Sequence, residues 1–262
     1  MVTRISLEDA LARMTSPLSP LGTELLALER ALGRTLAADV TAPLDQPPFD
    51  RSPLDGYALR SADLMGADKE HPAVLEVVDT VYAGDEANIP VNPGQAVRIM
   101  TGAMLPSGCD CVVPQEKTDQ GKPVRVFASL KPFENYVYQG DDYRKGAVLL
   151  TAGTRLDAAA LGVLASAGLT EAEVCRRPKV GLLTTGDEVV EAGRPRPAGK
   201  IYGANQLLLA ARLAELGFEA ETAHQGDDPA AVAETMKQLL SSCDVLITTG
   251  GVSVGDKDIF HQ

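Results

Sequence analysis

Tryptophan is absent and aromatic residues of every kind make up only 4% of the chain, so the stacking platforms that single-stranded nucleic acids require have little to be built from. Positive charge is also scarce. Lys and Arg number 24 against 36 Asp and Glu, a net charge of −12, which argues against nucleic acid or an anionic membrane surface as a partner. No apolar run approaches the length of a membrane span, and the first residues, MVTRISLEDA, place acids where a signal peptide needs its apolar region. A cytoplasmic protein is expected. Of the four cysteines, Cys175 and Cys243 are isolated and Cys109 and Cys111 form a CxC. That pair reads as small side chains on a short strand, because the sequence offers no two further zinc ligands nearby. His71, His224 and His261 are scattered, and nothing marks a nucleophilic triad.

What the chain does have is a carboxyl-terminal half written as β-α-β-α-β. Lys179 to Thr185, KVGLLTT, is an apolar run that breaks into Gly186, Asp187 and Glu188. Leucines at helical spacing follow from Ala204 to Gly217, whose glycine suits a left-handed cap. FEAETAHQ reads as a second strand. Asp227 and Asp228 before Pro229 make an N-cap with a first-turn proline, Asp228 being the better cap, and AAVAETMKQLLSS carries a helix into the strand DVLITT. Right-handed crossovers would set the strands parallel and bring Glu188, Asp227 and Asp258 towards their carboxyl ends. The final strand turns at once into TGGVSVGDKD, glycines and carboxylates at a strand end, which is how an α/β protein builds a site for an anionic ligand.

The amino-terminal half has another texture. Ser6 with Asp9 is a capping-box variant ahead of LEDALARM, and a second helix is expected from Gly22 to Leu32, stopping at Gly33. From Val40 to about Gln139 short apolar runs alternate with Pro, Gly, Asn and Asp, the pattern of a mostly β module. GAVLLTAGTRL returns as strand and turn, a helix runs from its Asp157 cap to Gly168, and Arg176 to Lys179 reads as a linker. The fold class expected is therefore multidomain, α/β plus mostly β. An elongated helical domain (1–45 and 140–177) holds an inserted β module (46–139), and a three-layer α/β domain (178–262) follows.

Within the β module, Asp55, Gly56 and Tyr57 in SPLDGYA, Thr101 and Gly102 in RIMTGA, and Asp141 and Asp142 in QGDD stand out. Taken singly, these are a hairpin turn, a capped turn and a solvated acidic turn. Their order changes the reading. DGYA, RIMTGA, GDD, TTGDE and GGVSVGDKD, in that order and at similar spacing, closely resemble the molybdopterin molybdenumtransferase family, the group of MoeA and the gephyrin E domain, across nearly the whole chain.

The resemblance implies insertion of molybdenum into molybdopterin. Adenylylated molybdopterin and molybdate are the substrates, AMP is released and Mg²⁺ assists. Pyrophosphate cleavage calls for charge neutralisation and an oriented nucleophile more than for a covalent residue, which agrees with so acidic a set of motifs. Carried over motif by motif, Glu188, Asp227 and Asp258 belong to the metal and ligand site of the α/β domain. Thr185, Gly186, Gly250, Gly251, Ser253 and Gly255 shape the ligand loops. Asp55, Thr101 and Asp142 match the β-module and hinge positions, which in the family complete the neighbouring subunit's site in a homodimer. A molybdopterin adenylyltransferase is then a possible upstream partner. Family members continue past Gln262 through a lysine-bearing segment and a further β domain, so the chain is expected to be part of a longer protein. A scaffold that has lost the chemistry, or a related adenylyltransferase, are the alternatives; against them stand the retained site acids and the DGY and RIMTGA modules.

Overall fold

A computed structural model describes residues 5–251. In chain order it contains α1 (Leu7–Thr15), β1 (Thr23–Ala27), β2 (Val40–Thr41), β3 (Gly56–Leu59), β4 (Ala73–Val81), β5 (Gln95–Ile99), β6 (Cys111–Pro114) and β7 (Val124–Val126). Then follow β8 (Val148–Leu150), α2 (Ala158–Ser166), β9 (Glu171–Cys175), β10 (Val180–Thr185), β11 (Val189–Val190) and β12 (Ile201–Tyr202). The last are α3 (Asn205–Glu215), β13 (Ala220–Gln225), α4 (Pro229–Ser242) and β14 (Val245–Thr249). The elements group into two compact units. One comprises 1–37, 155–157 and 171–262, the other 38–154 and 158–170.

In the first unit the parallel sheet runs in the order β13-β10-β14. Every residue of β10 is buried, as expected of a strand paired on both edges and covered on both faces. On one face Leu183 packs with Val232, Met236 and Leu239 of α4 and with Ala223 and Leu246 of the flanking strands. Those α4 positions fall at helical spacing, so a single stripe of the helix meets the sheet. Asp228 caps α4 by accepting the Ala231 N–H at 3.0 Å, with Pro229 in the first turn. The other face carries α3, which ends before Gly217 at φ +82°.

Ser6 accepts the Asp9 N–H at 3.1 Å and starts α1 as expected. The second expected helix is not formed. Thr23–Ala27 instead pairs antiparallel with β9, from Thr23 opposite Cys175 to Ala27 opposite Glu171, and only Leu28–Arg30 coils, as a 3₁₀ turn. TELLA has helical composition, but its backbone partner lies some 150 residues away, and a non-local ladder overrides a weak local preference. The buried Arg34 fixes this corner by donating to Glu24 and to the Cys175 carbonyl. The expected linker is likewise a structured strut. Arg176 makes a forked pair with Asp244 at 2.8 and 3.0 Å, and the Lys179 N–H donates to the same carboxylate at 2.8 Å.

The second unit is built on a sheet of order β6-β3-β5-β4-β7, antiparallel except for β4 beside β5. Tyr57, Leu59, Cys111 and Val113 point into one apolar cluster, while Ala58, Val97, Ile99 and Val112 point into another. The sheet is therefore buried on both faces. Asp55 and Gly56 do not form a hairpin turn; Gly56 opens the interior strand β3, and a Cβ there would lie 2.0 Å from the Val113 carbonyl oxygen. Cys111 is buried at the start of β6 and Cys109 precedes it, so the CxC is structural. Burial pushes the Cys109 thiol up to about 12 and the Cys111 thiol up as well. No helix among the described residues is long and apolar enough to cross a membrane.

Candidate functional site

The carboxyl ends of the parallel strands open onto a cavity of about 770 Å³. Its walls are the loop after β10, the short β11–β12 pair, the start of α3, β13 and the end of β14. Glu188 lines it, and its carboxylate folds over Gly186, where an added Cβ would sit 2.8 Å from the Glu188 Oε2 atom. Gly186 has φ +138°, so this turn depends on glycine. Thr249 and Gly250 reach the cavity from β14. Gly250, at φ +95°, crosses the end of β10 so closely that a Cβ would meet the Thr185 carbonyl oxygen at 2.4 Å. Beneath it the Thr185 hydroxyl is buried with no hydrogen-bond partner among the described residues.

The acids at this edge do different things. Asp187 and Asp227 clasp each other across two loops: the Asp187 N–H donates to the Asp227 carboxylate at 3.2 Å, and the Asp227 N–H donates to the Asp187 carboxylate at 3.1 Å. Asp227 thus ties the β10 loop to the β13 loop and is not among the residues lining the cavity. Lys200, from the β12 side, donates to the Asp187 carbonyl at 2.6 Å. No group of three or more His, Cys, Asp or Glu residues suited to hold a metal ion is formed among the described residues. Ser253, Gly255 and Asp258 lie outside them.

Sequence reasoning missed part of the wall. Thr184 stands opposite His224 in β13 and opposite Thr249 in β14, a polar row across a parallel sheet. Asn205, at the start of α3, donates to Thr249 Oγ1 at 3.3 Å. The signal was available: Thr and His at the ends of otherwise apolar strands.

In the second unit, Asp55 and Thr101 form one small cluster. The Thr101 N–H and hydroxyl donate to the same Asp55 carboxylate oxygen at 2.8 and 2.7 Å. These hydrogen bonds, the backbone one foremost, hold the Asp55 carboxyl below its ordinary range. Gly102, at φ +82°, continues the turn, its N–H donating to the Ser52 carbonyl at 2.8 Å. Asp142 is a separate, exposed acid, 3.9 Å from Arg51.

Residues 5–168 match the profile described as the MoeA N-terminal region (domain I and II), and residues 181–262 match that of a probable molybdopterin binding domain. The chain belongs to the MoeA family. Relatives named molybdopterin molybdenumtransferase include one from Nostoc sp., 41% identical over 92% of this chain, and one from Bacillus subtilis, 40% identical over 98% of it. The chain spans 56% and 61% of the lengths of those two MoeA relatives. Among solved structures, a molybdopterin biosynthesis MoeA protein from Pyrococcus horikoshii superposes with a TM-score of 0.84 at 33% identity, covering 95% of this chain and 64% of its own. The fold is accordingly MoeA-like, a mixed α/β arrangement in which the MoeA amino-terminal region precedes the region matched as a probable molybdopterin binding domain. The cavity belongs to that second domain.

Proposed function

We propose that the protein acts in molybdenum cofactor biosynthesis by inserting molybdenum from molybdate into adenylylated molybdopterin, with release of AMP. The observation that carries this reading is the cavity at the carboxyl edge of β10, β13 and β14, where Thr185, Glu188 and Gly250 meet within the molybdopterin-binding domain. A ligand of this class is anionic at its phosphates and polar along its pterin. The glycine turn at Gly250 and Gly251 lets backbone approach the phosphates without an intervening side chain.

Carboxylate oxygens are the donor type Mg²⁺ takes, and it uses one or two of them together with substrate phosphates. Glu188 fits that set from the cavity wall, Asp258 joins it by family resemblance, and Asp227 supports it by holding the two loops together. When bound, the ion neutralises phosphate charge. The working assembly is a homodimer in the cytoplasm, with Asp55, Thr101 and Asp142 serving the neighbouring subunit's site and a molybdopterin adenylyltransferase supplying the substrate.

The test is AMP release from adenylylated molybdopterin in the presence of molybdate and Mg²⁺, with Glu188→Gln beside the wild type. Release that falls at least about tenfold in the variant is expected for a group acting on developing charge. A folded wild type that releases no AMP, or a variant as active as wild type, overturns the reading.

A further inference from the structure

The polar row on the cavity floor is more specific than an anionic-ligand site needs. Strand β13 alternates cleanly: Ala223 packs into the apolar cluster under α4, and Gln225 donates to Thr235 of α4 at 2.9 Å. Period-two pleating then turns His224 to the opposite face, where it lines the cavity. Its Nδ1 atom lies 3.1 Å from the Thr184 hydroxyl oxygen. That hydroxyl has a single proton, and the Ala223 carbonyl, an acceptor only, takes it at 3.4 Å. With the Thr184 proton directed to that carbonyl, the Thr184 oxygen accepts from the ring, and a neutral imidazole in this arrangement carries its proton on Nδ1. In that arrangement Nε2 faces the cavity as an acceptor, and no hydrogen bond to it is made among the described residues. Asn205 points the same way. Its amide nitrogen donates one N–H to Thr249 Oγ1 at 3.3 Å, an orientation that leaves the amide oxygen open as an acceptor beside the second N–H.

We propose that His224 Nε2, positioned by Thr184 and seconded by the Asn205 amide oxygen, is a specificity-determining acceptor that reads a hydrogen-bond donor on the edge of a ring in the ligand. An aminopyrimidine edge, with its N–H and NH₂ groups, has that chemistry; a phosphate oxygen does not. The inference rests on the function proposed above, whose substrate offers an exocyclic amino donor twice, on adenine and on the pterin, the pterin adding a ring N–H beside it.

The test uses 6-hydroxymethylpterin and AMP as separate probes, titrated calorimetrically into wild type, His224→Ala, His224→Gln and Thr184→Val. Loss of one hydrogen bond to a ring edge weakens binding about tenfold. That loss is expected in His224→Ala for one probe and not the other, and the affected probe identifies which ring is read. His224→Gln, which retains an acceptor, should recover most of the affinity, and Thr184→Val should lose part of it. Nitrogen-15 spectra of the imidazole, assigned by comparison with His224→Gln, should show the Nδ1–H form in the ligand-free protein. Unchanged affinity of both probes in His224→Ala, or the Nε2–H form in the spectrum, overturns the inference. A His224→Ala protein that releases AMP like wild type, with Glu188→Gln inactive, overturns it while leaving the proposed function standing. A protein that releases no AMP but shows the selective loss of one probe does the reverse.

Discussion

Gly250 holds its site together by lacking a side chain. Replacing it with alanine puts a Cβ 2.4 Å from backbone at a φ of +95°, and left-handed strain alone costs roughly 1–3 kcal/mol. Gly250→Ala should therefore show a lower urea midpoint and weaker ligand binding together. Asp227 and Asp228 are adjacent but separable. Asp228→Ala removes the α4 cap and should cost about 1 kcal/mol by denaturation, with little effect on the cavity. Asp227→Ala instead opens the clasp with Asp187 and should lower AMP release more than it lowers stability. The sequence named Asp228 as the cap because Pro229 follows it. It could not name the Asp187 clasp, which joins loops 40 residues apart.

At the scale of elements, β1 and the strut at Arg176 are the parts that local pattern misread. Helix periodicity in TELLA competes with a ladder to β9 whose partner strand carries no strong signal of its own, and the buried Arg34 secures the outcome. Arg34→Ala leaves the Cys175 carbonyl and a half-exposed Glu24 without their donor, and a loss of about 1–2 kcal/mol is expected in urea titration. Strand β10 and helix α4 were legible because each is consistent at every level: an apolar β-branched run buried on all sides, and a capped helix with one apolar stripe. The second unit was legible as mostly β, but not the interior position of β3. An Asp-Gly pair marks a turn in sequence, and only the ladders to β5 and β6 show that the chain continues straight from it.

At the scale of the whole molecule, pH dependence follows from where carboxylates found donors. The forked bond to Arg176, followed by the Lys179 N–H, holds the Asp244 carboxyl down at about 2 against an ordinary 3.8. A depressed value means that the folded state favours the ionised form. The stabilisation is complete above the ordinary value and is lost as pH falls from about 4 towards 2. Asp244→Asn should therefore be less stable than wild type at neutral pH, and the two unfolding curves should converge as pH approaches about 2. Asp55 adds to the same trend in the second unit. The sequence by itself determined the parallel α/β unit, the β module and, through five ordered motifs, the family, because periodicity, caps and turn chemistry are local properties. Only the tertiary structure decided that TELLA is a strand, that Asp227 clasps Asp187, and that Thr184, His224, Thr249 and Asn205 share one cavity wall with Glu188. Those are relations between distant segments, set by strand register and by which face of the sheet α4 had already covered.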